Sequence, residues 1–188
     1  MKIVLASTSP RRIELLKKAN FDFEVISPCV DESIDKSLNP SKKVENLSFL
    51  KAKSVFERVK EGVVIGADTV VSFEDEILEK PIDLLDAKNT LKRLSGKTHL
   101  VITGITFYTK NKVITKSVVS KVKFKKLTDE IIDKYVKDYN VLDKAGSYAI
   151  QDDIVVESFE GSYSNIVGMP MEETEEILKD VLLWQGTE

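Results

Sequence analysis

Cysteine is almost missing from this chain of 188 residues, where Cys29 stands alone. One thiol closes no intrachain disulfide and cannot supply a zinc site built on several thiolates, so the reducing cytosol is the expected compartment and Cys29 is expected to be inert. Histidine is just as scarce. His99 is the only one, and no nucleophile elbow accompanies it, which argues against a Ser-His-Asp triad and for a structural role. Glycine-rich phosphate loops are also lacking: neither GxxxxGK(S/T) nor GxGxxG follows a strand-like run, which removes the P-loop and dinucleotide-binding readings. No apolar run approaches the ~18 residues of a membrane span, and Ile3-Val4-Leu5-Ala6 turns polar at Ser7, too early for a signal peptide. Nor does one charge dominate. Lys and Arg total 28 against 31 Asp and Glu, so neither nucleic acid nor an anionic membrane is an expected partner.

What is present reads as an ordinary globular domain. Hydrophobic residues make up 42% and charged residues 31%, enough to bury a core in one folded unit over residues 1–188. Ile3–Ala6 reads as a buried strand feeding a helix in which Ile13, Leu15, Leu16 and Ala19 share a face. Phe21 to Ile26 alternates like a second strand, residues 30–39 form a polar loop, and a helix runs from Pro40 to Gly62. Val63–Ala67 has the unbroken apolar character of a strand covered on both faces, interrupted at Asp68-Thr69 before Val70-Val71 resume it. Leu84–Leu94 reads as a helix and Leu100–Tyr108 as a strand. Lys110-Asn111-Lys112 is a hairpin turn into Val113–Phe124. Thr128 caps a helix reaching about Tyr139, Tyr148–Ile150 is a short strand, and Met171–Leu183 is a final amphipathic helix. Strands alternating with helices predict an α/β or α+β fold with a mixed sheet.

The first strand-to-helix junction carries the most chemistry. Ser9 is placed to cap the helix and Pro10 suits its first turn, yet Arg11 and Arg12 then set two cations against the positive end of the helix dipole. Unless both arginines are simply solvated surface residues, the arrangement makes sense around an anion, since N–H groups, hydroxyls and two guanidinium forks form a polyphosphate cradle. On that reading an unliganded Arg12 is mildly unfavourable, and its removal spares the apo fold. Asp68, at the break in the most apolar strand, must be paired, hydrated or metal-bound, unless it is a turn aspartate bonding local backbone. Asp31 and Glu32 add loop carboxylates, and Lys80 precedes Pro81 in an extended segment. Carboxylates for a hard cation with Arg and Lys for phosphate are the parts of metal-assisted phosphoryl chemistry.

Taken together, Leu5-Ala6-Ser7-Thr8-Ser9-Pro10-Arg11-Arg12-Ile13-Glu14-Leu15-Leu16 closely resembles the opening signature of the Maf family of nucleoside triphosphate pyrophosphatases. The resemblance continues through Asp31-Glu32, Lys51-Ala52, Gly66 to Val71, Glu79-Lys80-Pro81, Leu94-Ser95-Gly96 with His99, and Thr103-Gly104. It resumes at Asp143 to Gly146, Tyr148 to Gln151 and Gly161 to Pro170, in the family's order over almost the whole chain. It implies a long mixed sheet flanked by helices, with two lobes around a deep cleft, as in inosine triphosphate pyrophosphatases. It also implies hydrolysis of a nucleoside triphosphate to the monophosphate and pyrophosphate with Mg²⁺ or Mn²⁺ in the cytoplasm. A homodimer is left open.

Residue by residue, Asp68 matches the family's catalytic proton acceptor, and Ser7, Ser9, Arg11, Arg12, Lys51 and Lys80 match substrate-binding positions. Glu32 and Asp68 match the carboxylates near metal. Arg11, Thr69 and Gln151 match specificity positions, with Thr69 and Gln151 resembling the branch acting on dTTP and UTP rather than on 7-methyl-GTP. Two departures stand out. Met169 replaces a usual leucine before Pro170, and Asp152-Asp153 follows Gln151 where a glycine is common. A non-catalytic nucleotide- or partner-binding regulator of cell division is the competing reading, although it has no need of Asp68, Lys51 and Lys80 together.

Overall fold

A computed structural model describes residues 1–31 and 38–184. Its strands are β1 (Ile3–Ala6), β2 (Glu24–Val25), β3 (Val63–Phe73), β4 (Glu76–Leu78), β5 (Thr98–Tyr108), β6 (Val113–Phe124) and β7 (Val156–Glu160). The helices are α1 (Pro10–Lys18), α2 (Pro40–Val59), α3 (Leu84–Leu94), α4 (Asp129–Asp138), α5 (Tyr163–Val167) and α6 (Met171–Trp184). The strands form one seven-stranded mixed sheet in the order β2-β1-β3-β5-β6-β7, with β4 paired to β3. β1 is parallel to β2 and β3, whereas β4 and β7 run antiparallel to β3 and β6.

Helix boundaries follow local chemistry. Asn39 accepts the Lys42 N–H at 2.9 Å ahead of Pro40, and α2 stops at Lys60, whose φ of 58° is left-handed. Thr128 caps α4 by accepting from the Ile131 N–H. Ser9 departs from expectation: it occupies the N-cap position of α1 without a side-chain cap bond, and its own N–H donates to Ser7 Oγ at 3.2 Å. Of the expected strand over residues 21–26 only Glu24–Val25 forms.

The chain forms two compact units. The first comprises residues 1–69, 103–118 and 168 onward. Here the period of two along β1 and β3 divides the core. Ile3, Leu5, Val63, Ile65 and Ala67 pack with Leu16 of α1 and Leu178 and Val181 of α6. Val4, Ala6 and Val64 pack with Ala52 and Val55 of α2. Helices α1 and α2 therefore cover opposite faces. Two glycines let α2 lie against its face: a Cβ on Gly66 would come 2.2 Å from the Ser48 carbonyl oxygen, and one on Gly104 would come 2.3 Å from that of Val44.

The second unit comprises residues 70–102 and 119–167. Its core joins Leu91 and Leu94 of α3, Val122 and Phe124 of β6, and Ile132, Tyr135 and Val136 of α4. His99 is buried there, 2% exposed. Its Nε2 shares a 2.8 Å hydrogen bond with the Tyr148 hydroxyl, and its ring meets Phe124 edge-on at 4.9 Å. Among the described residues Nδ1 has no partner. Burial holds the imidazole neutral, with its pKa lowered from 6.5 to about 4. The unfolded chain takes up this proton near its ordinary value and the native state does not, so the contribution is full above pH 6.5 and is lost as pH falls toward about 4. Urea unfolding should therefore show wild type losing roughly 2–3 kcal/mol more between pH 7 and pH 4.5 than His99→Gln does. Parallel losses would show that His99 does not set the acid limit.

One predicted strand is absent. Tyr148 and Ala149 lie outside any ladder, and Ile150–Asp152 is a 3₁₀ turn. Tyr148 and Ala149 are extended, with φ of -147° and -125°, but left-handed Gly146 and Ser147 before them, at φ of 70° and 64°, and the 3₁₀ turn after them leave a run of only two residues. The apolar residues that signalled a strand serve the core instead, with Tyr148 and Ile150 buried in this unit.

Candidate active site

In the first unit β1 passes through α1 to β2 on one side, and β2 passes through α2 to β3 on the other. The chain reverses direction across the sheet at β1, and ligands of open α/β sheets bind beyond the carboxyl ends of strands at such a point. Ser7 lies there, one residue past the end of β1, followed by the start of α1. The register Ala6↔Gly66 brings Ala67, Asp68 and Thr69 alongside.

Arg12 organises the α1 face of this region. Its Nε donates to the Gly168 carbonyl at 2.9 Å, one terminal nitrogen to Ser7 Oγ at 3.2 Å and the other to Thr69 Oγ1 at 3.1 Å. Thr69 Oγ1 also shares a 3.0 Å hydrogen bond with Thr103 Oγ1. Thr103, which enters the sequence reading only with Gly104 in the family resemblance, is a buried member of this network. The structure reverses the expectation that Arg12 destabilises the apo protein, because three acceptors outweigh an unfavourable dipole term of about 0.3–1 kcal/mol. Arg12→Ala should cost about 2 kcal/mol and lower Tm by roughly 4–8 °C without ligand. Arg12→Lys should not restore it, lacking the planar fork. An unchanged Tm in the alanine variant would show that these bonds carry no net stability.

Asp68 does not interrupt its strand. β3 continues from Val63 to Phe73, and alternation turns Asp68, like Gly66, toward α2 while Thr69 turns toward α1. The charge is accommodated by Lys51 of α2, whose Nζ donates to Asp68 Oδ1 at 2.7 Å, with side chains 9% and 13% exposed. Among the described residues the hydrogen bond to this carboxylate reaches Oδ1, which leaves Oδ2 for water or a cation. The close approach permitted by Gly66 is what brings α2, and with it the lysine, over the carboxylate.

The other expected site residues fall elsewhere. Arg11 is half-buried in the first turn of α1. Lys80 and Gln151 belong to the second unit, Lys80 exposed after β4 and Gln151 exposed on the 3₁₀ turn. Asp31 is exposed, and Glu32 lies outside the described residues. Among the described residues no three His, Cys, Asp or Glu side chains converge as a metal site, and no helix is long and apolar enough to cross a membrane.

A strand-turn-helix junction with paired arginines at the switch point of a mixed sheet is the place where an α/β protein of this class would receive an anion. Residues 2–181 match the family described as Maf-like protein. The chain belongs to the Maf family. It is 50% identical over 182 residues to the dTTP/UTP pyrophosphatase of Thermosipho africanus, covering 96% of this chain and 93% of that protein. The dTTP/UTP pyrophosphatase of Ruminiclostridium cellulolyticum is 48% identical over 90% of each chain, and that of Bacillus anthracis 45% identical over 90% of each. Among solved structures the Staphylococcus aureus Ham1 protein aligns over 65% of this chain and 72% of that one, at 17% identity and a TM-score of 0.45, a likeness too loose to inform the site.

Proposed function

We propose that this protein hydrolyses dTTP and UTP to the nucleoside monophosphate and pyrophosphate, drawing pyrimidine or modified nucleotides from the triphosphate pool. The observation that carries the reading is identity near one half, over almost the full length of both chains, with proteins named for that activity. The first unit is consistent with it, since Asp68, paired with Lys51 of α2, lies on the strand next to β1, from which the Ser7 to Arg12 junction runs.

In mechanism, water adds across the anhydride between the α and β phosphates, the bridging bond breaks, and pyrophosphate leaves. Ser7, Ser9, Arg11 and Arg12 hold the triphosphate, and Lys51 and Lys80 offset charge that develops on the leaving pyrophosphate. Asp68 orients and deprotonates the attacking water. The donor set fits a cation held chiefly by its substrate: Mg²⁺ takes one or two carboxylates and fills its other positions with phosphate oxygens and water, so a lone protein carboxylate suffices. Asp68 Oδ2 would hold it, with Glu32 as the second carboxylate implied by the resemblance. When bound, the cation supplies Lewis-acid charge to the phosphate oxygens. The two roles of Asp68 compete, because a carboxylate bound tightly to a cation is a poorer base.

Gln151 and Thr69 select the base, the amide of Gln151 donating and accepting as a pyrimidine edge with adjacent carbonyl and N–H groups requires. A panel of dTTP, UTP, CTP, ATP, GTP and 7-methyl-GTP tests the reading. The highest kcat/KM is expected for dTTP and UTP. A preference for 7-methyl-GTP would overturn the base assignment, and nucleotide binding without turnover across the panel would favour a regulator.

A further inference from the structure

We infer that Tyr135 positions the turn that selects the base: from α4 its hydroxyl clamps both ends of the 3₁₀ turn that carries Gln151. The inference rests on the reading in which Gln151 meets the base.

Tyr135 is 1% exposed, with its ring in the core of the second unit and stacked on Tyr139. The hydroxyl donates to Asp152 Oδ2 at 2.5 Å and accepts the Ala149 N–H at 3.2 Å. These partners bracket Gln151, one on each side. The backbone closes the same turn, with the Asp152 N–H donating to Ala149 O and the Asp153 N–H to Ile150 O. Burial and the neighbouring carboxylate raise the phenol's pKa, so the hydroxyl stays a donor through the neutral range. Tyr148 and Ile150 are sunk in the core while Gln151 is exposed. The turn therefore presents one amide on a base fastened at both flanks.

Two features of the sequence that stood apart from the family pattern now have uses. Asp152 is the acceptor of the clamp. Asp153, at φ 52°, takes the left-handed conformation for which a glycine is the easy choice, and aspartate tolerates it better than most side chains. Phenylalanine at position 135 would fill the same core volume. Among the described residues both bonds of the hydroxyl go to this turn, so the oxygen answers to Gln151's placement rather than to packing.

The test compares kcat/KM for dTTP over GTP in wild type, Tyr135→Phe, Asp152→Ala, Asp152→Asn, Gln151→Ala and the Tyr135→Phe/Gln151→Ala double variant. Tyr135→Phe and Asp152→Ala should each lower the ratio about tenfold, the equivalent of one hydrogen bond. Asp152→Asn, which keeps an acceptor, should retain most of it. In the Gln151→Ala background, adding Tyr135→Phe should lower the ratio no further, because the clamp acts only through the amide. An unchanged ratio in Tyr135→Phe, with Gln151→Ala lowered, overturns the inference and leaves the role of Gln151 standing. So does a drop that is equal in both backgrounds, which marks a structural effect. An unchanged ratio in Gln151→Ala overturns the reading of Gln151, and the inference with it.

Discussion

A folded Asp68→Asn protein is expected to release pyrophosphate from dTTP about 10²–10⁴-fold more slowly than wild type, the usual contribution of a positioned general base. Asparagine keeps the shape and an acceptor for Lys51 Nζ, now 2.7 Å from Oδ1, but it has neither the negative charge nor the basicity. Some stability goes as well. The pair is largely buried, and removing one partner of such a pair costs about 3–5 kcal/mol; the retained hydrogen bond should hold the loss below that range. Folding must therefore be checked by circular dichroism and gel filtration rather than by an unchanged Tm. A folded variant with near-native turnover would remove Asp68 from the chemistry.

The second large effect is expected at a residue with no reactive group. Gly66→Ala places a Cβ 2.2 Å from the Ser48 carbonyl oxygen and 2.7 Å from the Ala52 nitrogen, both backbone atoms of α2. No side-chain rotation relieves the clash, so the helix must lift from the sheet. We expect a cost of ~3 kcal/mol, at the upper end for overpacking, and a Tm lower by roughly 6–12 °C. Turnover should fall with it, because Lys51 rides on the displaced helix. Gly104→Ala, whose Cβ would come 2.3 Å from the Val44 carbonyl oxygen, should cost a similar amount through the same helix. Wild-type Tm and turnover in both variants would show that α2 does not depend on this approach.

These two cases also show what the sequence could and could not disclose. The candidate cradle was legible because Ser7 to Arg12 is contiguous, and strand, cap position, Pro10 and both arginines can be read without knowing the fold. Asp68 was legible as a carboxylate in an apolar strand. The pairing was not: the resemblance marked Lys51 as a substrate position, and only the close seating of α2 over Gly66 brings it to the carboxylate. The bonds of Arg12 to Thr69 and Gly168 were hidden likewise, since both partners are remote in sequence. The mistaken strand at Tyr148–Ile150 came from reading a short extended stretch as a paired strand, when Tyr148 and Ala149 are extended but join no ladder and Ile150 already opens the 3₁₀ turn. Short β4 and α5 gave no periodic signal at all.

The most direct test of the central claim is product analysis of dTTP hydrolysis by the wild-type protein with Mg²⁺ and with chelator. The account predicts dTMP and pyrophosphate in equal amounts with Mg²⁺, no dTDP, and loss of both products when the cation is removed. Release of dTDP with orthophosphate would contradict cleavage between the α and β phosphates, and undiminished turnover in chelator would contradict the cation's part in it.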